Sequence, residues 1–189
     1  LTLGLSGQPF NGPDIGGFVS STNANLLAHW TALGVYFPFV RNHTTENSVA
    51  QEPWAFDKNT LDICRTAINR RYRLMPYTYS LSWQVSKNDD SFMRPLVMDF
   101  KADKKTWNMS DEYMYGRNFL VCPVAHPLYT RERIIRTDEL SGWNKSETTG
   151  ELYRPVDWKQ MKTYEVYLPA GTKWYDYWTN KVYEGGQDV

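Results

Sequence analysis

Gly12-Pro13-Asp14-Ile15-Gly16-Gly17-Phe18 and, beyond one helical segment, Val35-Tyr36-Phe37-Pro38-Phe39-Val40-Arg41-Asn42-His43 are the stretches that decide how this chain is read. The first closes a Gly- and Pro-rich segment running from Gln8 to Phe18, which suits a strand ending in a tight turn. The second is a short, almost wholly apolar run, which fits a strand buried on both faces of a parallel sheet. Between them, Leu26, Leu27, Trp30 and Leu33 share one face of a helix expected over Asn23 to Leu33. Thr22 or Asn23 can cap its start, and Gly34 stands where a left-handed C-terminal cap belongs. Strand, helix, strand is the grammar of a βα-alternating domain.

Outward from there, a polar loop from Arg41 to Pro53 leads to the longest helical pattern. Leu61, Cys64, Ile68, Tyr72, Met75 and Tyr79 recur at intervals of three and four, as on one helix face. Pro76 removes a backbone donor and crowds the preceding turn, so a kink near Met75 or a break into two helices is expected. Arg65, Arg70, Arg71 and Arg73 read as partners for internal carboxylates or as a solvated face. After Asn88 the grammar changes to short strands, expected at Pro95 to Phe100, Phe119 to Val124, Tyr164 to Leu168, Lys173 to Tyr177 and Lys181 to Tyr183. Pro169-Ala170-Gly171-Thr172 and Trp178-Thr179-Asn180 are turn signals between them. The polar stretch from Ala125 to Lys162 is too long for a plain loop and reads as an insertion.

The expected organisation is therefore α/β then all-β, with residues 1–88 in an α/β portion and 89–189 in an antiparallel β-domain carrying an insertion at about 125–162. Two βα units cannot close a parallel sheet, so the first portion reads as the end of a larger domain. The opening Leu1-Thr2-Leu3-Gly4-Leu5, with no initiator Met and no charged leader, reads equally as a processed end or as the last turn of a helix that begins upstream, the latter in the same sense.

Composition bounds the function classes. The 189 residues are 41% hydrophobic, 22% charged and 15% aromatic, with 21 basic against 21 acidic side chains. That apolar content excludes a disordered tail. The neutral balance argues against a nucleic-acid partner, because phosphate affinity needs surplus positive charge. No apolar run approaches the roughly 20 residues needed to span a bilayer, so no membrane partner is expected. The expectation is a soluble, folded chain; its compartment is unassigned and an oligomer stays open. Eight Trp, 13 Tyr and 8 Phe can fill large cores or make platforms for the apolar faces of sugars. Cys64 and Cys122 read as buried structural thiols. His29, His43 and His126 are too scattered for a zinc site, and no metal or cofactor is expected. Sequons begin at Asn42, Asn108 and Asn144, a pattern common by chance.

The chemistry-bearing candidates follow the two apolar strands. In α/β barrels functional groups sit at the C-terminal ends of strands. Asp14 stands at the first such end, before glycines that let a ligand approach the backbone. Arg41, Asn42 and His43 stand at the second. A carboxylate and an imidazole on adjacent strand ends could share one polar ligand, the carboxylate accepting from paired hydroxyls and the imidazole donating. Taken singly, an Asp before Gly-Gly is a turn former and a lone His is structural; both readings stay open here.

These residues resemble a known family. Gly12 to Phe18, Phe37 to His43, Glu52-Pro53-Trp54, Arg71 to Tyr77, Met93-Arg94-Pro95-Leu96, Gly116 to Val124, Tyr167 to Gly171 and Trp174-Tyr175-Asp176 look, in this order, like the signature of glycoside hydrolase family 31. The resemblance covers nearly the whole chain except the insertion. It implies the last strands and helices of a (β/α)8 TIM barrel followed by a β-sandwich, in an enzyme of the α-glucosidase and α-xylosidase group acting on an oligosaccharide substrate. It implies retaining hydrolysis by two Asp residues, whose carboxyls must lie about 5 Å apart to form a covalent glycosyl-enzyme. In the family both lie on earlier strands, so the resemblance assigns no catalytic residue to this chain, and the remainder of the parent polypeptide becomes its obligatory partner. What it does assign is substrate binding: Asp14 accepts from sugar hydroxyls, His43 bonds a neighbouring hydroxyl, and Phe18 walls the same pocket. Arg41 would fix a carboxylate by a bidentate pair, and Trp54, Arg73 and Tyr77 would pack. The insertion and the Met93 to Trp107 wording lean towards the α-xylosidase branch. Two other readings stand beside this one: a stand-alone carbohydrate-binding module, and a structural segment supporting a catalytic domain.

Overall fold

The computed structural model describes residues 1–19, 21–125 and 163–189. The chain divides into two compact units, Leu1–Pro123 with Val166–Val189, and Val124–Glu165. The second falls almost wholly outside the described residues, and with it the expected insertion and its Trp143, Tyr153 and Trp158.

Helix α1 is a single turn, Thr2–Leu5. Helix α2, Ala24–Gly34, starts where Asn23 accepts a hydrogen bond from the Leu26 N–H at 2.9 Å, satisfying one of the free donors of the first turn. Gly34 is not a left-handed cap. It lies inside α2, and the following Val35 is right-handed. A Cβ on Gly34 would stand 2.4 Å from Ile15 Cδ1, so the position is glycine because another segment crosses it closely.

Helix α3 spans Lys58–Asn88 and is capped by Asp57, whose Oδ1 accepts from the Thr60 N–H at 2.8 Å. It is one helix and not two. Pro76 deprives the carbonyl four residues back of its partner, but that residue is the exposed Tyr72, where water can replace the bond. The buried face also differs from the expected stripe. Thr60, Cys64, Ala67, Leu74, Thr78 and Leu81 face inward, whereas Ile68, Tyr72, Met75 and Tyr79 are exposed. Small and hydroxylated side chains let α3 approach its neighbours, and Thr78 Oγ1 shares a 2.9 Å hydrogen bond with the Tyr115 hydroxyl.

The two expected parallel strands reduce to one isolated parallel bridge, Asp14 to Arg41. Prolines at 9, 13 and 38 remove ladder donors. The carbonyls of Val35, Phe37 and Pro38 instead accept from the Arg71 guanidinium on α3, two of these bonds measuring 2.9 Å. One side chain thus does for this segment what a neighbouring strand would do in a ladder.

The described strands of the β-rich half pair antiparallel. Strands β1 (Met93–Pro95), β2 (Tyr113–Tyr115) and β3 (Phe119–Val121) form one sheet, with Met93 opposite Tyr115 and Tyr113 opposite Val121. Strand β4 (Tyr167–Leu168) pairs with β7 (Gln187–Asp188), and β5 (Lys173–Tyr175) with β6 (Val182–Glu184). The strand expected at Pro95 to Phe100 turns instead into helix α4, Leu96–Asp99. The reason is Arg94, 4% exposed, whose Nε and Nη2 each bond one oxygen of Asp99 at 2.7 Å. Five extended residues would carry Asp99 about 16 Å away; a helical turn brings it back.

Two cores follow. Phe37, Leu81, Phe92, Met93, Tyr113, Tyr115 and Val121 join α3 to the first sheet. Ile15, Leu27 and Cys64, flanked by Trp30 and Phe56, join α2 and α3 to the Asp14 segment. Burial pushes the Cys64 thiol up and the Cys122 thiol to about 12, and both are free. Among the described residues no helix is long and apolar enough to cross a membrane.

Candidate functional site

Ile15, 2% exposed, anchors the first loop in the second core, and its N–H donates to the Arg41 carbonyl at 2.8 Å. Gly16 and Gly17 follow with φ of 87° and 93°, conformations that side chains resist, so the chain reverses at once. Asp14 is thereby held at the rim, just ahead of a buried anchor and a turn. Its Oδ1 accepts from both Nε and Nη2 of Arg41 at 2.5 Å. Both nitrogens converge on one oxygen, so Oδ2 lies outside the pair. The Asp14 side chain is 16% exposed and that of Arg41 50%.

Phe18 and His43 come from the same two loops. Their rings stack with centroids 5.3 Å apart and planes 27° from parallel. The backbone beneath them is tied: the Phe18 carbonyl accepts from the Thr45 N–H at 2.9 Å and the Thr44 hydroxyl at 3.1 Å. Both rings remain exposed. The structure therefore pairs Asp14 with Arg41 and Phe18 with His43, on loops joined by a parallel bridge.

One residue that sequence reasoning passed over sits beneath these pairs. Gln51, 5% exposed, donates through Nε2 to the Ile15 carbonyl at 3.1 Å and to Asn42 Oδ1 at 3.0 Å. Asn42 Nδ2 returns a 2.8 Å bond to the Gln51 carbonyl, which commits the amide of the first sequon. A glutamine in a polar loop carries no periodicity, and only its burial marks it. Of the three residues expected to pack, Tyr77 does, donating to the Tyr115 carbonyl at 3.0 Å, whereas Trp54 and Arg73 are exposed.

Chemically this rim offers a carboxylate oxygen, an imidazole and an aromatic face at an open surface. Such a set has the chemistry to meet a polyhydroxylated ring by its hydroxyls and its C–H face. Among the described residues no cluster of His, Cys, Asp or Glu could hold a metal ion.

Comparisons with known proteins give the family. The sequence model for the glycosyl hydrolases family 31 TIM-barrel domain matches residues 1–81, and the one for the glycosyl hydrolase family 31 C-terminal domain matches 89–149 and 149–189. Neutral alpha-glucosidase C of Macaca fascicularis is 37% identical over 190 residues, covering 100% of this chain and 20% of the relative. Alpha-glucosidase 2 of Bacillus thermoamyloliquefaciens is 34% identical over 187 residues, covering 99% and 20%. The chain thus spans about a fifth of the length of these relatives. The crystal structure of a family 31 alpha-xylosidase from a soil metagenome superposes with a TM-score of 0.74 over 100% of this chain and 27% of that one, at 24% identity, a likeness of fold alone. Barrel and C-terminal matches follow one another in the order that the Asp14, His43 and Tyr167 motifs imply, and the chain belongs to glycosyl hydrolase family 31.

Proposed function

We propose that this chain is the end of the catalytic barrel and the start of a β-sandwich domain in a retaining α-glycosidase, where it supplies part of the subsite for the terminal sugar. The observation that carries the reading is the pairing of Asp14 with Arg41, beside the stacked Phe18 and His43, on two loops bridged in parallel. Asp14 Oδ2 accepts from sugar hydroxyls, His43 bonds a neighbouring hydroxyl, and Phe18 walls the ring. Bonds of this kind contribute to rate when they tighten as the sugar flattens towards the oxocarbenium-like transition state. The substrate is an oligosaccharide ending in α-linked glucose or xylose. The names of the relatives above 30% identity support glucose over the xylose leaning drawn from the sequence. No acidic residue of this chain is assigned to the displacement itself; the nucleophile and the acid–base belong to preceding barrel strands.

Turnover of an aryl α-glucoside and an aryl α-xyloside tests the division of labour. The 189-residue chain alone should hydrolyse neither, while a polypeptide that adds the preceding strands should hydrolyse one. Hydrolysis by the chain alone would place the reacting carboxylates within it and overturn the proposal.

A further inference from the structure

We propose that Gln51 is the positioning residue of the subsite, an internal amide clasp that fixes the Asp14 loop and the His43 loop in one geometry. This rests on reading Asp14, Phe18 and His43 as the sugar site. The single Nε2 group of Gln51 spends its two hydrogens on two different loops, one on Ile15, adjacent to Asp14, and one on Asn42, adjacent to His43. The bond returned from Asn42 Nδ2 to the Gln51 carbonyl closes the clasp. Gln51 is buried, so water is kept from the bond to Ile15, while the Asn42 end of the clasp stands at the exposed side.

Its other end adds a cost that packing alone does not explain. Among the described residues, Gln51 Oε1 is buried without a hydrogen-bond partner. An orphaned buried acceptor is destabilising, and an apolar side chain of the same length would avoid it. What only the amide provides is the pair of donors, and both act on the backbone or side chain next to a sugar-binding residue. Oε1 also lies 3.1 Å from where a Cβ on Gly16 would stand, so the clasp packs directly against the turn that follows Asp14.

The test uses the full-length enzyme that carries this segment and an aryl α-glycoside it hydrolyses. Gln51→Met keeps the length and removes both donors. Because a displacement of reacting groups by about 1 Å can cost a hundredfold, kcat/KM should fall by roughly 10- to 100-fold. In an Asp14→Ala/His43→Ala background the same change should cost less than about threefold, since its targets are gone. An equal loss in both backgrounds would make Gln51 a general stability residue and overturn the proposal. Full activity in Asp14→Ala/His43→Ala would instead defeat the underlying reading of the site, a distinct result. If thermal melting shows Gln51→Met unfolded, Asn42→Ala opens the clasp from its exposed side. It should lower kcat/KM in the parent and have no effect beside His43→Ala, and an undiminished effect there would overturn the proposal.

Discussion

Two arginine–aspartate pairs in this molecule use the same chemistry for opposite ends. Arg94 is buried and meets Asp99 fork to fork, one nitrogen on each oxygen at 2.7 Å, while its third nitrogen bonds Asp90. Arg117 takes the other oxygen of Asp90 at 3.2 Å. The four carboxylate oxygens are thus all engaged, and the pair can do nothing but hold β1 to α4. Arg41 is half exposed and puts two nitrogens on a single oxygen of Asp14, leaving Oδ2 outside the pair. A closed pair is architecture; an open pair orients an acceptor for something that arrives later.

Mutating each arginine should break that contrast in opposite directions. Arg94→Met removes a buried cation, strips Asp99 of both its bonds and leaves Asp90 only Arg117 as an ion-pair partner, and removing one side of a buried ion pair costs about 3–5 kcal/mol. The expected outcome is a large drop in melting temperature and no change in KM for whatever fraction stays folded. Arg41→Met removes the half-exposed member of a rim pair, and a pair whose cation reaches solvent is worth at most about 1 kcal/mol to stability. Its melting temperature should barely move, while kcat/KM of the full-length enzyme should fall severalfold or more as Asp14 loses its orientation. If Arg41→Met melted as Arg94→Met does and kept its activity, the distinction between the pairs would collapse.

The same contrast explains what was legible in the sequence. Asp14, Phe18 and His43 stand in motifs with punctuation around them, glycines and prolines that force a turn, so the two loops that the Asp14–Arg41 bridge joins could be read. Helix α2 could be read too, because Asn23 and a three-four spacing mark it. The buried face of α3 could not, since Thr60, Ala67 and Thr78 earn their place by being small and not by being apolar. Nor could α4: Leu96, Met98 and Phe100 alternate with Val97 and Asp99 like a strand, and the ion pair between Arg94 and Asp99 bends the segment into a turn. Gln51 was the least visible of all, because its role lies in two hydrogen bonds to residues 9 and 36 positions away. Parallel strands are expected where one bridge is found, because the Arg71 guanidinium, read from the sequence as a carboxylate partner or part of a solvated face, takes backbone carbonyls instead.

The central claim is that Asp14 presents its free oxygen to the substrate. It is tested most directly by kcat/KM of Asp14→Ala in the full-length enzyme, with melting temperature as control. Loss of a hydrogen bond to a charged acceptor in the transition state predicts a fall of about 2–4 kcal/mol, roughly thirty- to thousand-fold, with melting nearly unchanged. A fall of less than tenfold would make Asp14 a turn residue and contradict the account.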